Sequence, residues 1–264
     1  MSLSVNTEVL WIDTPQGRLA CSRWFPADNP GKPPVVLFHD SLGCVALWRD
    51  FPQQLCQAIA REVIAYDRLG FGQSDAFPGA LPPTFISDEA DTAFAHLKRA
   101  LQIDSFVALG HSVGGAMAAA CAARYQQDCL ALITIAAQAF VEDRTLQGIR
   151  DAKVQFQNPE HMARLSKYHG DKAPWVLNAW TETWLAPTFA DWTLERLVGA
   201  IDCPTLVLHG EHDEYGSTLH PQRIAQLANG PSECLILDGC YHVPHREAPE
   251  AVLAPVSRFL GAER

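Results

Sequence analysis

Apolar residues in this chain fall into short continuous runs separated by stretches with helical spacing. Pro34-Val-Val-Leu-Phe38, Val63-Ile-Ala-Tyr66, Phe106-Val-Ala-Leu109, Leu130-Ala-Leu-Ile-Thr-Ile135, Pro204-Thr-Leu-Val-Leu208 and Glu233-Cys-Leu-Ile-Leu237 show little polar alternation. Runs of this kind predict strands of a sheet covered on both faces. Between them, Trp48–Ala60 places Phe51, Leu55 and Ile59 on one helical face, and Ala116–Arg124 is rich in alanine. Segments Ser87–Leu101, Leu219–Ala228 and Pro249–Leu260 complete the predicted helices. Strand and helix alternate, which implies a mostly parallel sheet with helices on both faces. Ahead of this series, Val9–Ile12 and Leu19–Phe25 flank the turn Pro15-Gln-Gly17 and predict an antiparallel hairpin at the sheet edge.

The rhythm breaks between Gln138 and Ala200. This stretch holds helical patterns, no convincing strand, and four of the seven tryptophans: Trp175, Trp180, Trp184 and Trp192. One α/β core domain (1–137 and 201–264) interrupted by a helical cap (138–200) accounts for the pattern more simply than two domains. Leu177, Trp180 and Trp184 fall at i, i+3 and i+7, one face of a helix. That stripe either packs the cap on the core or lines an apolar pocket, with Trp180 and Trp184 as the candidate lining.

Composition narrows the class. With 264 residues and 48% of them hydrophobic, a sizeable core is available. The formal charge of −10 argues against a nucleic-acid or anionic-membrane partner, since both select clustered Lys and Arg. The first residues show neither a basic nor an apolar signal region, and no apolar run approaches ~18 residues. Eight scattered cysteines without a C-x-x-C pair fit reduced thiols. The expectation is a cytoplasmic protein, monomeric or homodimeric, with a small-molecule substrate and no cofactor.

The chemistry points to Leu109-Gly110-His111-Ser112-Val113-Gly114-Gly115. A serine at a sharp strand-to-helix turn, with glycine two residues to either side, matches the nucleophile elbow G-x-S-x-G. Side chains at Gly110 and Gly114 would collide in such a turn. The serine would also sit at a helix start, where N–H groups favour a developing negative charge. Functional groups in a parallel sheet gather at the carboxyl ends of its strands. There the chain offers His39–Gly43, Asp67–Asp75, Ser112, Glu211 or Asp213, and His242, with His245 close by. Ser112, Asp213 and His242 fit the order nucleophile, acid, base.

Five motifs in order, His39-x-x-x-Gly43, Asp67-Arg-Leu-Gly-Phe-Gly-Gln-Ser74, Gly110-His-Ser-Val-Gly114, His209-Gly-Glu-His-Asp213 and Gly239-Cys-Tyr-His-Val-Pro-His-Arg-Glu247, resemble the α/β-hydrolase superfamily. The resemblance covers nearly the whole chain and is to the capped serine esterases and C–C-bond hydrolases. It implies the α/β-hydrolase fold with Ser112 as nucleophile, Asp213 as acid and His242 as base. It also implies an oxyanion hole from the backbone N–H groups of Ser41 and Val113. His245 is expected to hydrogen-bond locally, His39 to support the oxyanion loop and His111 to pack as a neighbour. Two positions depart from the pattern. Asp40 and Tyr241 stand where glycine is common, and Asp40 would have to tolerate a positive φ or act as an extra carboxylate.

His209, His212 and Asp213 do not have the spacing of a usual metal-ligand set, and neither Cys44 nor Cys240 has an elbow of its own. The activity expected is hydrolysis of a carboxylic ester, thioester or lactone of a largely apolar substrate through a Ser112 acyl-enzyme. Alternatives are C–C-bond hydrolysis of a dienoic diketone, a cofactor-free lyase or perhydrolase, and a receptor without catalysis. A neutral His242 would make activity rise through about pH 6 to 7.

Overall fold

The computed structural model describes residues 3–28 and 31–261. Eight strands form one sheet: β1 (Val5–Thr14), β2 (Gly17–Pro26), β3 (Val35–Phe38), β4 (Val63–Tyr66), β5 (Phe106–His111), β6 (Cys129–Ile135), β7 (Thr205–Gly210) and β8 (Ser232–Leu237). Their order is β1-β2-β4-β3-β5-β6-β7-β8. β2 is antiparallel to both neighbours, and every other pairing is parallel. This is the α/β-hydrolase fold, with the expected antiparallel edge.

β3, β4, β5 and β7 are buried along their whole lengths, as their unbroken apolar runs require. The hairpin differs from expectation in length. Its two strands pair over ten residues each, because the polar residues around Val9–Ile12 face solvent on an edge strand. Val9 and Trp11 are exposed there.

Helices α1 (Phe51–Ile59), α2 (Phe85–Asp88), α3 (Ala93–Ala100) and α4 (Val113–Arg124) fill the first half of the chain. One expected helix, Ser87–Leu101, is two. The break falls between Glu89, still helical at φ −52° and ψ −39°, and Thr92, which leaves the helical region at φ −110° and ψ −104°. The buried Glu89 carboxyl accepts a hydrogen bond from the Tyr66 hydroxyl on β4. Between β6 and β7 lie α5 (Asp143–Gln155), α6 (Pro159–His169), α7 (Ala173–Trp184) and α8 (Glu195–Val198). Among the described residues of this stretch the only β pairing is a single bridge, Phe140 to Thr193. The chain closes with α9 (Leu219–Leu227), α10 (Pro244–Glu247) and α11 (Pro249–Gly261). No helix in the described residues is long and apolar enough to cross a membrane.

The tightest packing is around the turn from β5 into α4. A Cβ at Gly110 would lie 2.0 Å from the Gly114 carbonyl oxygen, and one at Gly114 would lie 2.1 Å from the Phe38 carbonyl oxygen. Both obstacles are backbone atoms of the central sheet and its helix, so neither can yield. Gly114→Ala should therefore destabilise the protein by on the order of 3 kcal/mol or more, or prevent folding. Thermal unfolding of the purified variant checks this; a melting temperature equal to wild type would contradict the close approach.

Candidate active site

Ser112 links β5 to α4 with φ 55° and ψ −128°, a left-handed backbone that a residue with a side chain adopts only under constraint. The constraint is visible: its N–H donates to the Ile135 carbonyl (2.8 Å) on β6, and α4 begins at the next residue. The hydroxyl is thereby held at the carboxyl end of the sheet. Asp213 follows β7 and His242 follows β8, so the ends of β5, β7 and β8, with β6 between the first two, supply three side chains.

His242 Nε2 lies 3.0 Å from Ser112 Oγ, and His242 Nδ1 lies 2.9 Å from each oxygen of the Asp213 carboxylate. An ionised carboxylate can only accept, so Nδ1 carries the proton and Nε2 is free to accept from the serine. Asp213 is 1% exposed. Burial pushes its carboxyl up, but the His242 charge and hydrogen bond, helped by the Tyr215 N–H, outweigh burial and hold it below the usual range. For His242, burial pulls the imidazole down, and Asp213, then Asp40 and Glu214, more than reverse this. Its affinity for a proton therefore exceeds that of an ordinary histidine. The pH 6 to 7 range expected from sequence takes no account of those carboxylates and moves upward.

Several other residues take definite places. His245 is buried against Trp48, Phe51 and His111. Its Nδ1 has no hydrogen-bond partner, so it packs rather than bonding locally as expected. His111 contacts the His242 carbonyl through Nε2 (2.7 Å). Glu211 is exposed and accepts from the Gly239 N–H (3.0 Å), away from His242. Burial drives the Cys44 thiol up to about 12, and that of Cys240 is also raised by burial, so neither forms a ready thiolate. Among the described residues no three His, Cys, Asp or Glu side chains converge as a metal would need.

The two departures resolve differently. Asp40 is not among the residues with positive φ, so the strained angle considered for it is not adopted. Its carboxylate lies over Gly43 instead, where a Cβ would meet Oδ1 at 1.8 Å. Tyr241 is exposed, with its ring near His212 rather than over the serine.

The loop after β3 is held from both sides. From the core, Arg68 Nη2 donates to the Asp40 carbonyl (2.9 Å) and its Nε and N–H approach His39 Nε2 (3.3 and 3.2 Å). From the insertion, His169 at the end of α6 accepts from the Gly72 N–H (2.8 Å) and meets the Leu42 carbonyl (3.0 Å). Ser41, Leu42, Ser112, Gln138, Ile149, Trp180, Trp184, Tyr215 and His242 surround a cavity of about 280 Å³. Asp40 and Glu214 are the acidic residues on its wall, and no Lys or Arg of the described residues lines it. Trp180 meets the Tyr215 ring edge-on at 5.8 Å, and Trp184 packs on Phe189 and Trp192. Trp184 thus lines the cavity and fills the core at once, while Leu177 packs with Phe71 and Leu165.

The family model for the alpha/beta hydrolase fold matches residues 33–193. This chain belongs to the α/β-hydrolase family. Mouse serine hydrolase BPHL is 29% identical over 222 residues, covering 76% of this chain and 71% of that protein. Rat 1-acylglycerol-3-phosphate O-acyltransferase ABHD5 is 33% identical over 124 residues, where the match spans only 33% of the relative's length and 45% of this α/β-hydrolase. Among solved structures, 2-hydroxy-6-oxo-6-phenylhexa-2,4-dienoate hydrolase (BphD) from Rhodococcus sp. strain RHA1 superposes with a TM-score of 0.77 at 17% identity. That superposition covers 98% of this chain and 100% of the other, and shows the shared fold.

Residues not expected at the site include Gln138, 3.4 Å from Ser112 Oγ, and Tyr215, whose ring lies 4.9 Å from that of His242 at a 58° tilt. The residues after β6 belong with those after the other strands, and that rule would have found Gln138. Titration of the His242 ring by proton NMR should give a pKa above the ~6.5 of a free histidine. Asp213→Asn should move it downward, since the neutral amide removes the charge that favours the imidazolium. An unchanged pKa in that variant would contradict the pairing.

Proposed function

We propose that this enzyme hydrolyses carboxylic esters, thioesters or lactones of small to medium, largely apolar substrates through a Ser112 acyl-enzyme. The observation that carries the proposal is the continuous line from Asp213 through His242 to Ser112, at 2.9 and 3.0 Å, ending at an apolar cavity. In the first step His242 Nε2 takes the Ser112 proton as Oγ attacks the acyl carbon, and Asp213 stabilises the imidazolium. The N–H groups of Ser41 and Val113 receive the developing oxyanion. His242 then protonates the leaving oxygen or sulfur, and in the second half activates water against the acyl-enzyme. The insertion 138–200 serves as a lid, with Trp180 and Trp184 shaping the acyl pocket.

C–C-bond hydrolysis of a dienoate is the second reading. Such a substrate is a carboxylate anion, and a cavity walled by Asp40 and Glu214, with no Lys or Arg among its described lining residues, suits a neutral ester better.

Ser112→Ala should lower kcat on a nitrophenyl ester by on the order of 10³-fold or more with the fold retained. A near wild-type rate would end the assignment. The activity should rise with pH through a midpoint above ~6.5, as the protonated, inactive His242 loses its proton. Asp40→Asn should lower that midpoint, and His245→Ala should leave it in place. Trp180→Ala should alter the preference between short and long acyl chains by ~1–3 kcal/mol in kcat/KM. If chain-length preference is unchanged while stability falls, Trp180 only packs.

A further inference from the structure

Arg68 is 6% exposed, yet no carboxylate of the described residues lies within the 4 Å of an ion pair to its guanidinium. Burying a cation without a paired anion is costly, so the fold gains something else from it. Its neighbours are the Phe71 ring face at 4.2 Å, His39, and the carbonyl oxygen of Asp40. Glu89 is near enough to favour its charge but bonds to Tyr66 instead.

The Asp40 carbonyl is unusually well supplied with donors. Arg68 Nη2 reaches it at 2.9 Å, His39 Nδ1 at 2.9 Å and the Gly43 N–H at 3.2 Å. His39 Nε2 faces the Arg68 N–H and Nε, two groups that only donate, so Nε2 accepts and Nδ1 carries the proton given to Asp40. The Asp40 carbonyl and the Ser41 N–H belong to one planar trans peptide and point in opposite directions. Fixing the oxygen on Arg68 therefore fixes the hydrogen on the cavity side. A charge-assisted bond to the oxygen also polarises the peptide and makes its N–H a stronger donor.

Accordingly, we propose that Arg68 is a positioning residue for the oxyanion hole, acting through the Asp40–Ser41 peptide rather than by touching substrate. The inference rests on the acyl-transfer reading given above. It also explains why Asp40 can replace the glycine of the wider pattern: the peptide after it is oriented by donors on its oxygen, not by a special backbone angle.

Arg68→Met and Arg68→Lys test it. Each is assayed for ester turnover across pH, and for affinity toward an aryl trifluoromethyl ketone, which adds to the serine and places an oxyanion in the hole. Arg68→Met should lower kcat about 10- to 100-fold, less than or comparable to deleting one oxyanion donor, with KM within about twofold. Ketone affinity should fall by a similar factor, and the acid limb of His242 should not move. Arg68→Lys keeps a charge and one donor, and should recover part of both losses. If Arg68→Met does not fold, the lysine variant alone should still show the linked fall in kcat and ketone affinity. Equal kcat and ketone affinity in a folded variant and wild type would overturn the proposal. So would a loss confined to KM or to melting temperature. A wild-type protein that neither turns over esters nor binds the ketone contradicts the acyl-transfer reading itself, a result distinct from an Arg68 variant that matches an active wild type.

Discussion

Everything at the site depends on the turn that takes the backbone from β5 into α4 at one strained residue. Ser112 holds its left-handed φ because α4 lies against β3 and β5 with no room for a Cβ at Gly110 or Gly114. Such strain costs on the order of 1–3 kcal/mol and persists only when the surroundings over-determine it. Here they do, through the Ser112 N–H to Ile135 and the N-terminal turn of the helix that follows. The result is a hydroxyl presented at the sheet's carboxyl edge, next to free N–H groups at a helix start.

Around this fixed point, loops are joined by buried polar contacts rather than by surface ion pairs. Asp67 accepts from the N–H groups of Val45 and Gln73, tying the loop after β4 to the loop after β3. The insertion takes part in the same way. His169 bridges Gly72 and Leu42, while Glu142 at the start of α5 accepts from Ser217 and meets His220 on the segment that carries Asp213. The insertion therefore holds both the loop after β3 and the loop that carries Asp213, besides contributing Trp180 and Trp184 to the cavity wall. His169 and His220 suit this use because each meets a backbone N–H through one ring nitrogen and an oxygen acceptor through the other.

The fold was legible because buried parallel strands write themselves as unbroken apolar runs. β3, β4 and β5 stand within a residue or two of the runs that announced them. Ser112, Asp213 and His242 were legible too, since each follows a strand and sits in a short motif. What escaped were contacts made across long separations. Nothing local marks Arg68 as the holder of the Asp40 carbonyl 28 positions away, or Gln138 as a neighbour of Ser112. The interruption of the helix at Thr92 and the hydrogen bond from Tyr66 to Glu89 leave no record in the spacing of apolar residues. The choice between the two roles open to Asp40 was not legible, because the neighbours of its peptide come from another loop.

In the proposed reaction Ser112 carries the acyl group between two half-reactions. Rapid acid quench during turnover of a nitrophenyl ester, followed by peptide mass mapping, measures this directly. The account predicts a burst of nitrophenol close to one equivalent per active site and a peptide containing Ser112 heavier by the acyl group. Absence of both the burst and the acylated peptide, or an acyl group found on another residue while Ser112 stays unmodified, would contradict it.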